Sequence, residues 1–216
     1  MINSKILFQL TYFIKYYFVF FLIFLSVSLF ANTKCDSIII FYKSKVDSIY
    51  KTNFIILNKY PLANKYFSIV KPELLLFDKQ TDNIEKNLIK FLYKFNISSF
   101  RKISIGPFQM QINFIENILK KSNTKSYFNY HFKNSIADFL INNLDLITTF
   151  DFQCFVLQKY IQTFQYNRSN NFKIIDLLSF YYNSGRLPYD SIDINSRHFT
   201  KIKTCKLSYV QWSQAL

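Results

Sequence analysis

The chain has 216 residues and a formal net charge of +14, with 50% of its residues apolar and 20% aromatic. That length suits one domain, or one domain plus a targeting segment, and the apolar share is enough for a sizeable core. The charge favours a polyanion, whether nucleic acid, anionic lipid or anionic wall polymer. The absence of Cys/His zinc spacing, an RNP-like string or a dense basic run argues against the recognisable nucleic-acid modules. The excess of Lys, Asn, Ile, Phe and Tyr is also what an AT-rich genome imposes, so the lysine and aromatic counts weigh little by themselves.

In chain order, Lys5 and Lys15 precede an uncharged apolar run over residues 16–30, which Ala31 and the polar stretch Asn32-Thr33-Lys34-Cys35-Asp36 follow. This reads as a secretory signal over residues 1–31, or as a retained membrane anchor if Lys15 is tolerated within it. Either reading expects an exported chain, in the periplasm or cell envelope, with residues 32–216 as a single domain. Residues 37–53 are apolar-rich and of open type. Residues 62–77 predict a helix with Pro72 as a kink or restart. Asp82 and Glu85 have capping-box spacing and open a helix to Phe95, with Ile84, Leu88, Phe91, Leu92 and Phe95 on one face. Residues 96–110 read as irregular or short β structure. Residues 111–121 are helical, with Ile112, Ile115, Ile118 and Leu119 spaced for burial. A loop over 122–133 leads to two amphipathic helices, 135–146 and 150–166, and a turn at 167–171. A strongly apolar helix over 172–182 stops at Asn183-Ser184-Gly185, where a glycine C-cap belongs. Tyr209 to Ala215 is a last helical or irregular segment. The expected fold class is therefore mainly α with one short irregular or β insert.

The chain has two glycines, where about 7% usage would give roughly fifteen. Gly106 lies in Ser104-Ile105-Gly106-Pro107-Phe108-Gln109-Met110-Gln111, and Gly185 closes Tyr182-Asn183-Ser184-Gly185. Positive φ or close approach of backbone to a ligand is the usual reason to keep a glycine. Upstream, Ile69-Val70-Lys71-Pro72-Glu73 puts a carboxylate on an apolar helix. The order of these three segments resembles the lysozyme-like superfamily, in particular lytic transglycosylases and goose-type lysozymes. There a helix with Ile-x-x-x-Glu ends on the catalytic acid, a Gly-Leu-Met-Gln segment follows, and Tyr-Asn-x-Gly comes late. The stretch 62–111 also looks like an exported lysozyme-like group of Bacteroidetes-type bacteria. The resemblance covers most of residues 60–190.

The resemblance implies a helical lysozyme-like domain that cleaves the β-1,4 glycosidic bonds of peptidoglycan glycan strands. Glu73 would serve first as general acid and then as base, with the substrate N-acetyl group assisting and a 1,6-anhydro sugar as product. No cofactor and no metal are expected. By the same resemblance Tyr182 hydrogen-bonds or orients the acid and Asn183 supports it. Gly106 lets sugar approach the backbone, Gln109 lines the cleft, and Ser104 fixes the loop. A carboxyl among Ile69, Val70, Leu74, Leu75 and Leu76 is in the apolar setting that keeps a proton near neutral pH, the effect known from hen lysozyme. Glu85 is the alternative acid, closer in sequence to Gly106 but explained by its capping position. Leu74 follows the acid where these enzymes have Ser, Gly-Pro-Phe-Gln replaces Gly-Leu-Met-Gln, and an extra helix stands between acid and glycine segment. These departures leave open a non-catalytic wall-binding or envelope-assembly protein. Of three cysteines, Cys154 reads as a buried small hydrophobe, and an exported chain permits a disulfide among the three. His131 and His198 read as surface or structural residues, and Trp212 as packing.

Overall fold

The computed structural model describes residues 35–75, 77–122, 135–164, 173–184 and 207–216. The signal or anchor over 1–31, the loop and turn segments around 123–134 and 165–172, Gly185, both histidines and Cys205 lie outside the described residues. Among the described residues no helix is long and apolar enough to cross a membrane.

The fold is mainly α, with one two-stranded hairpin. The segment of open type is a helix, α1, over residues 35–52. Two short helices follow, α2 (Phe54–Asn58) and α3 (Pro61–Lys65). The single helix expected over 62–77 is instead three pieces. α3 ends where Tyr66 leaves helical geometry, a 3-10 turn runs Phe67–Val70, and α4 (Lys71–Leu74) restarts with Pro72 in its first turn. Proline has no N–H to give the preceding turn and fits a helix only where that donor is unneeded, so the restart falls there.

α5 (Lys79–Lys94) begins one turn earlier than the capping-box spacing predicts, because Asp78 is the N-cap and accepts the Thr81 N–H at 3.0 Å. Asp82 is thereby freed for a different partner. The helix ends on Asn96 in left-handed conformation (φ 56). There the Ile97 and Asn96 N–H groups both reach back to the last turn, onto Leu92 and Tyr93 carbonyls at 2.9 Å. After a 3-10 turn (Ser98–Lys102), β1 (Ser104–Ile105) and β2 (Met110–Gln111) pair antiparallel, Ser104 opposite Gln111 and Ile105 opposite Met110.

α6 (Ile112–Lys121) buries Ile112, Ile115, Ile118 and Leu119, as the spacing predicts. The helix expected over 135–146 is broken at Asn143 into α7 (Ile136–Asn142), opened by a Ser135/Asp138 capping box, and α8 (Leu144–Ile147). α9 (Phe150–Thr163) is the central element, with Phe152, Gln153, Cys154, Phe155, Val156, Leu157 and Tyr160 all buried. A helix buried on nearly every side is the axis of a core, and α2, α3, α6 and α8 all pack on it. α10 (Ile174–Ser184) and α11 (Tyr209–Ala215) pack together, and α11 closes on α4 and the turn before it. Trp212 is fully buried there, as expected of packing.

Candidate functional site

Glu73 is the third residue of α4, and only 8% of it is exposed. Its element is a single turn, too short to hold a position alone, so its neighbours fix it. From α11 the Tyr209 hydroxyl donates to the Ile69 carbonyl at 2.9 Å. The Lys71 ammonium donates to the Leu216 carbonyl at 2.6 Å, and burial lowers the pKa of that ammonium. The two bonds clamp the backbone just ahead of the acid onto the last helix.

The hairpin is set from beneath. Its connection is a turn over Gly106-Pro107-Phe108-Gln109, closed by the Gln109 N–H on the Gly106 carbonyl at 3.0 Å. Both ends of this turn take positive φ, Gly106 at 72° and Gln109 at 49°. A non-glycine residue held there is strained and needs surrounding contacts to keep it. Gln109 gets one from its own side chain, whose amide donates to the Gly106 carbonyl at 3.1 Å. Two buried polar side chains do the rest. Asp82 accepts the Gly106 N–H at 2.7 Å. Gln153, fully buried on α9, accepts the Phe108 N–H and donates to the Ile105 carbonyl, both at 2.7 Å. Phe108 itself is fully buried against Phe67 and Phe150.

Three segments remote in sequence meet at a cleft of about 560 Å³. Glu73 from α4, Ser104, Gln109, Met110 and Gln111 from the hairpin, and Tyr181, Tyr182, Asn183 and Ser184 from the end of α10 all line it. Of the expected site residues, Glu73, Ser104, Gln109, Tyr182 and Asn183 are therefore brought together. Glu85 and Gly106 are not among the lining residues. Glu85 sits half-buried on α5. Gly106 has a different reason to be glycine than ligand approach: a Cβ there would come within 2.2 Å of the Gln153 amide nitrogen, at a φ of +72. The space is filled by α9, not left for sugar.

Tyr182 has a role beyond the one expected. Its hydroxyl donates to the Phe108 carbonyl at 2.6 Å, so it braces the hairpin. Glu73 reaches it through charge: burial first, then the Glu73 carboxylate, raises the Tyr182 phenol well above its usual pKa, and the same pair of causes raises Tyr209. Both phenols therefore stay neutral O–H donors beside the acid. Their rings approach each other with centroids 6.4 Å apart.

The remaining wall is α6, which contributes Asn113, Phe114, Asn117, Ile118 and Lys121. Asn113, Asn117 and Lys121 recur every four residues, the polar counterpart of the buried Ile112, Ile115 and Leu119 face. Reading only the apolar half of that helix misses them. The Asn113 amide oxygen is buried with no hydrogen-bond partner among the described residues. Gln153, Asp82 and Tyr209 are likewise positioning residues that sequence reasoning misses; a glutamine in the apolar run of α9 was the one visible signal. Among the described residues no cluster of three His, Cys, Asp or Glu could hold a metal ion. Comparison with protein families, curated proteins and solved structures gives no match.

Proposed function

We propose that the chain is an exported, lysozyme-like glycosidase that cleaves the β-1,4 bonds of peptidoglycan, with Glu73 as its acid and base. One observation carries the reading. A nearly buried carboxyl on one turn of helix shares a cleft with Ser104, Gln109, Tyr182 and Asn183, all of them expected from the three-segment pattern. Glu73 is the one carboxylate among the described lining residues. That suits a transglycosylase, which needs a single acid, better than a two-carboxylate glycosidase.

In this mechanism Glu73 gives its proton to the glycosidic oxygen as the C1–O bond breaks, and the substrate N-acetyl oxygen holds C1. The substrate's own C6 hydroxyl then attacks C1 and returns its proton to the Glu73 carboxylate, leaving a 1,6-anhydro end. Glu73 is nearly buried, and burial disfavours the charged form of a carboxyl. Asn113, Asn117 and the Gln109 and Gln111 amides supply hydrogen-bonding edges for sugar hydroxyl and acetamido groups.

The test is digestion of purified cell walls by the chain, with products read by mass spectrometry. Anhydro-muropeptides are expected, and Glu73→Gln should lower their formation by about 10²–10⁴-fold without loss of fold. Full activity in Glu73→Gln would remove the proposed acid. The absence of any product, with the chain still sedimenting with insoluble wall, would favour a non-catalytic wall-binding protein. That second reading draws on Tyr182, whose hydroxyl is committed to the Phe108 carbonyl.

A further inference from the structure

α5 turns its apolar stripe outward. Ile84, Leu88, Phe91 and Phe95 recur at helical spacing and are 67%, 45%, 57% and 58% exposed, and Ile97, just past the helix end, is exposed beside them. The stripe runs ~17 Å at 1.5 Å rise per residue. The opposite face of the same helix is the one that packs, through Ile89 and Asp82. A surface helix of a globular protein shows the reverse polarity.

The half-buried Glu85 lies toward one edge of this stripe, and the exposed basic residues lie toward the other. Lys90 and Lys94 lie along that edge, one turn apart, and both are exposed. Among the described residues neither of them forms an ion pair, whereas Lys86 on the inner side is held by Asp82 and Asp145 at 3.2 Å. An apolar face with unpaired lysines along one edge is complementary to a surface with an apolar interior and an anionic skin. A second copy of this chain fits poorly. It would bring lysine rows of two chains of charge +14 together, and a stripe of five side chains falls short of the roughly 800 Å² per partner of a stable interface.

We propose that α5 docks flat on an anionic phospholipid membrane, with Ile84, Leu88, Phe91 and Phe95 at the headgroup–acyl boundary and Lys90 and Lys94 on lipid phosphates. This contact is separate from the cleft and does not depend on Glu73 chemistry. It would hold a wall-directed site at a fixed distance from the bilayer, independently of the apolar segment at residues 16–30.

The full chain carries one tryptophan, Trp212, which is fully buried, so Phe91→Trp adds a reporter on the stripe. The protein is mixed with phosphatidylcholine vesicles, with and without phosphatidylglycerol, whose acyl chains carry bromine. Quenching of the new tryptophan in the anionic vesicles is the expected result. Adding Lys90→Gln and Lys94→Gln should lower the docked-to-undocked ratio about 25-fold, each lysine near the surface contributing about fivefold. Because the reporter sits on α5, membrane attachment through the N-terminal segment alone leaves it unquenched. An unquenched reporter in anionic vesicles overturns the proposal. So does quenching that neither phosphatidylglycerol nor the two lysines affect, and so does a blue shift without vesicles that grows with protein concentration, which would mark a second copy as the occupant.

Discussion

Gln153 does for the hairpin what no backbone partner could. Its amide sits under a turn whose two ends are left-handed, and it satisfies one donor and one acceptor of that turn at once. Replacing it with Ala leaves both buried groups unpaired, at about 1–3 kcal/mol each, so Gln153→Ala should lower stability by about 2–6 kcal/mol. Gly106→Ala should cost a similar amount, about 1–2 kcal/mol for the left-handed Cβ and the rest for the collision with that amide. The two losses share an origin. In the double variant the collision is gone, and the total should fall short of the sum by at least about 1 kcal/mol in urea unfolding. Additive losses would mean that Gln153 is not the reason position 106 is glycine. Sequence alone marks Gly106 as special but cannot say what occupies the missing side chain's place. That answer is 47 residues downstream, on a helix whose other neighbours are apolar.

At the scale of elements, periodicity locates helices and their faces well, and locates their ends and surroundings less well. The apolar face of α6 is where spacing puts it and is buried, whereas α9, expected to be amphipathic, is buried on nearly every side. Of the expected α5 face, Leu92 is half-buried against the core, but Ile84, Leu88, Phe91 and Phe95 face solvent, because a pattern of spacing defines a face and not what covers it. Helix breaks at Tyr66 and Asn143 escape the pattern because the apolar period continues across them; only the main-chain angles change. The end of α5 is legible from chemistry instead. Asn96 takes a φ of 56, a conformation open to Asn and Gly and costly to others. Asn96→Ala should therefore destabilise the fold by about 1 kcal/mol, and Asn96→Gly should be neutral or slightly stabilising. Thermal unfolding of the pair checks this, and equal melting temperatures for both variants would remove the role given to the left-handed end.

For the molecule as a whole, the candidate site is assembled late in the chain: Tyr182 comes from α10 and Tyr209 from α11, both buried against an acid that precedes them by more than a hundred residues. Convergence of Glu73, Gln109 and Tyr182 is legible from the order of their motifs, while Tyr209 has no motif to announce it. These phenols, with Tyr160 and the Cys154 thiol, share a property of the packed interior: burial raises each above its ordinary value, 10.0 for the phenols and 9.0 for the thiol. Below about pH 8.5 folded and unfolded chains both hold these protons, and the groups leave stability flat. Above that, the unfolded chain releases them and the folded chain does not. The folded state then binds more protons, so stability falls as pH rises, by about 1.4 kcal/mol per pH unit for each group titrating. Lys71, lowered by burial, acts in the opposite sense, but it is one group against four. Urea midpoints should thus hold level to about pH 8.5 and drop steeply by about pH 11. Tyr209→Phe loses the bond to the Ile69 carbonyl, about 1 kcal/mol at neutral pH, but it also removes one titrating group. Its alkaline decline should be shallower than that of the parent by one proton's worth. A parallel decline would show that Tyr209 is not held neutral by the fold, and would weaken the case that it stands as a buried donor beside Glu73.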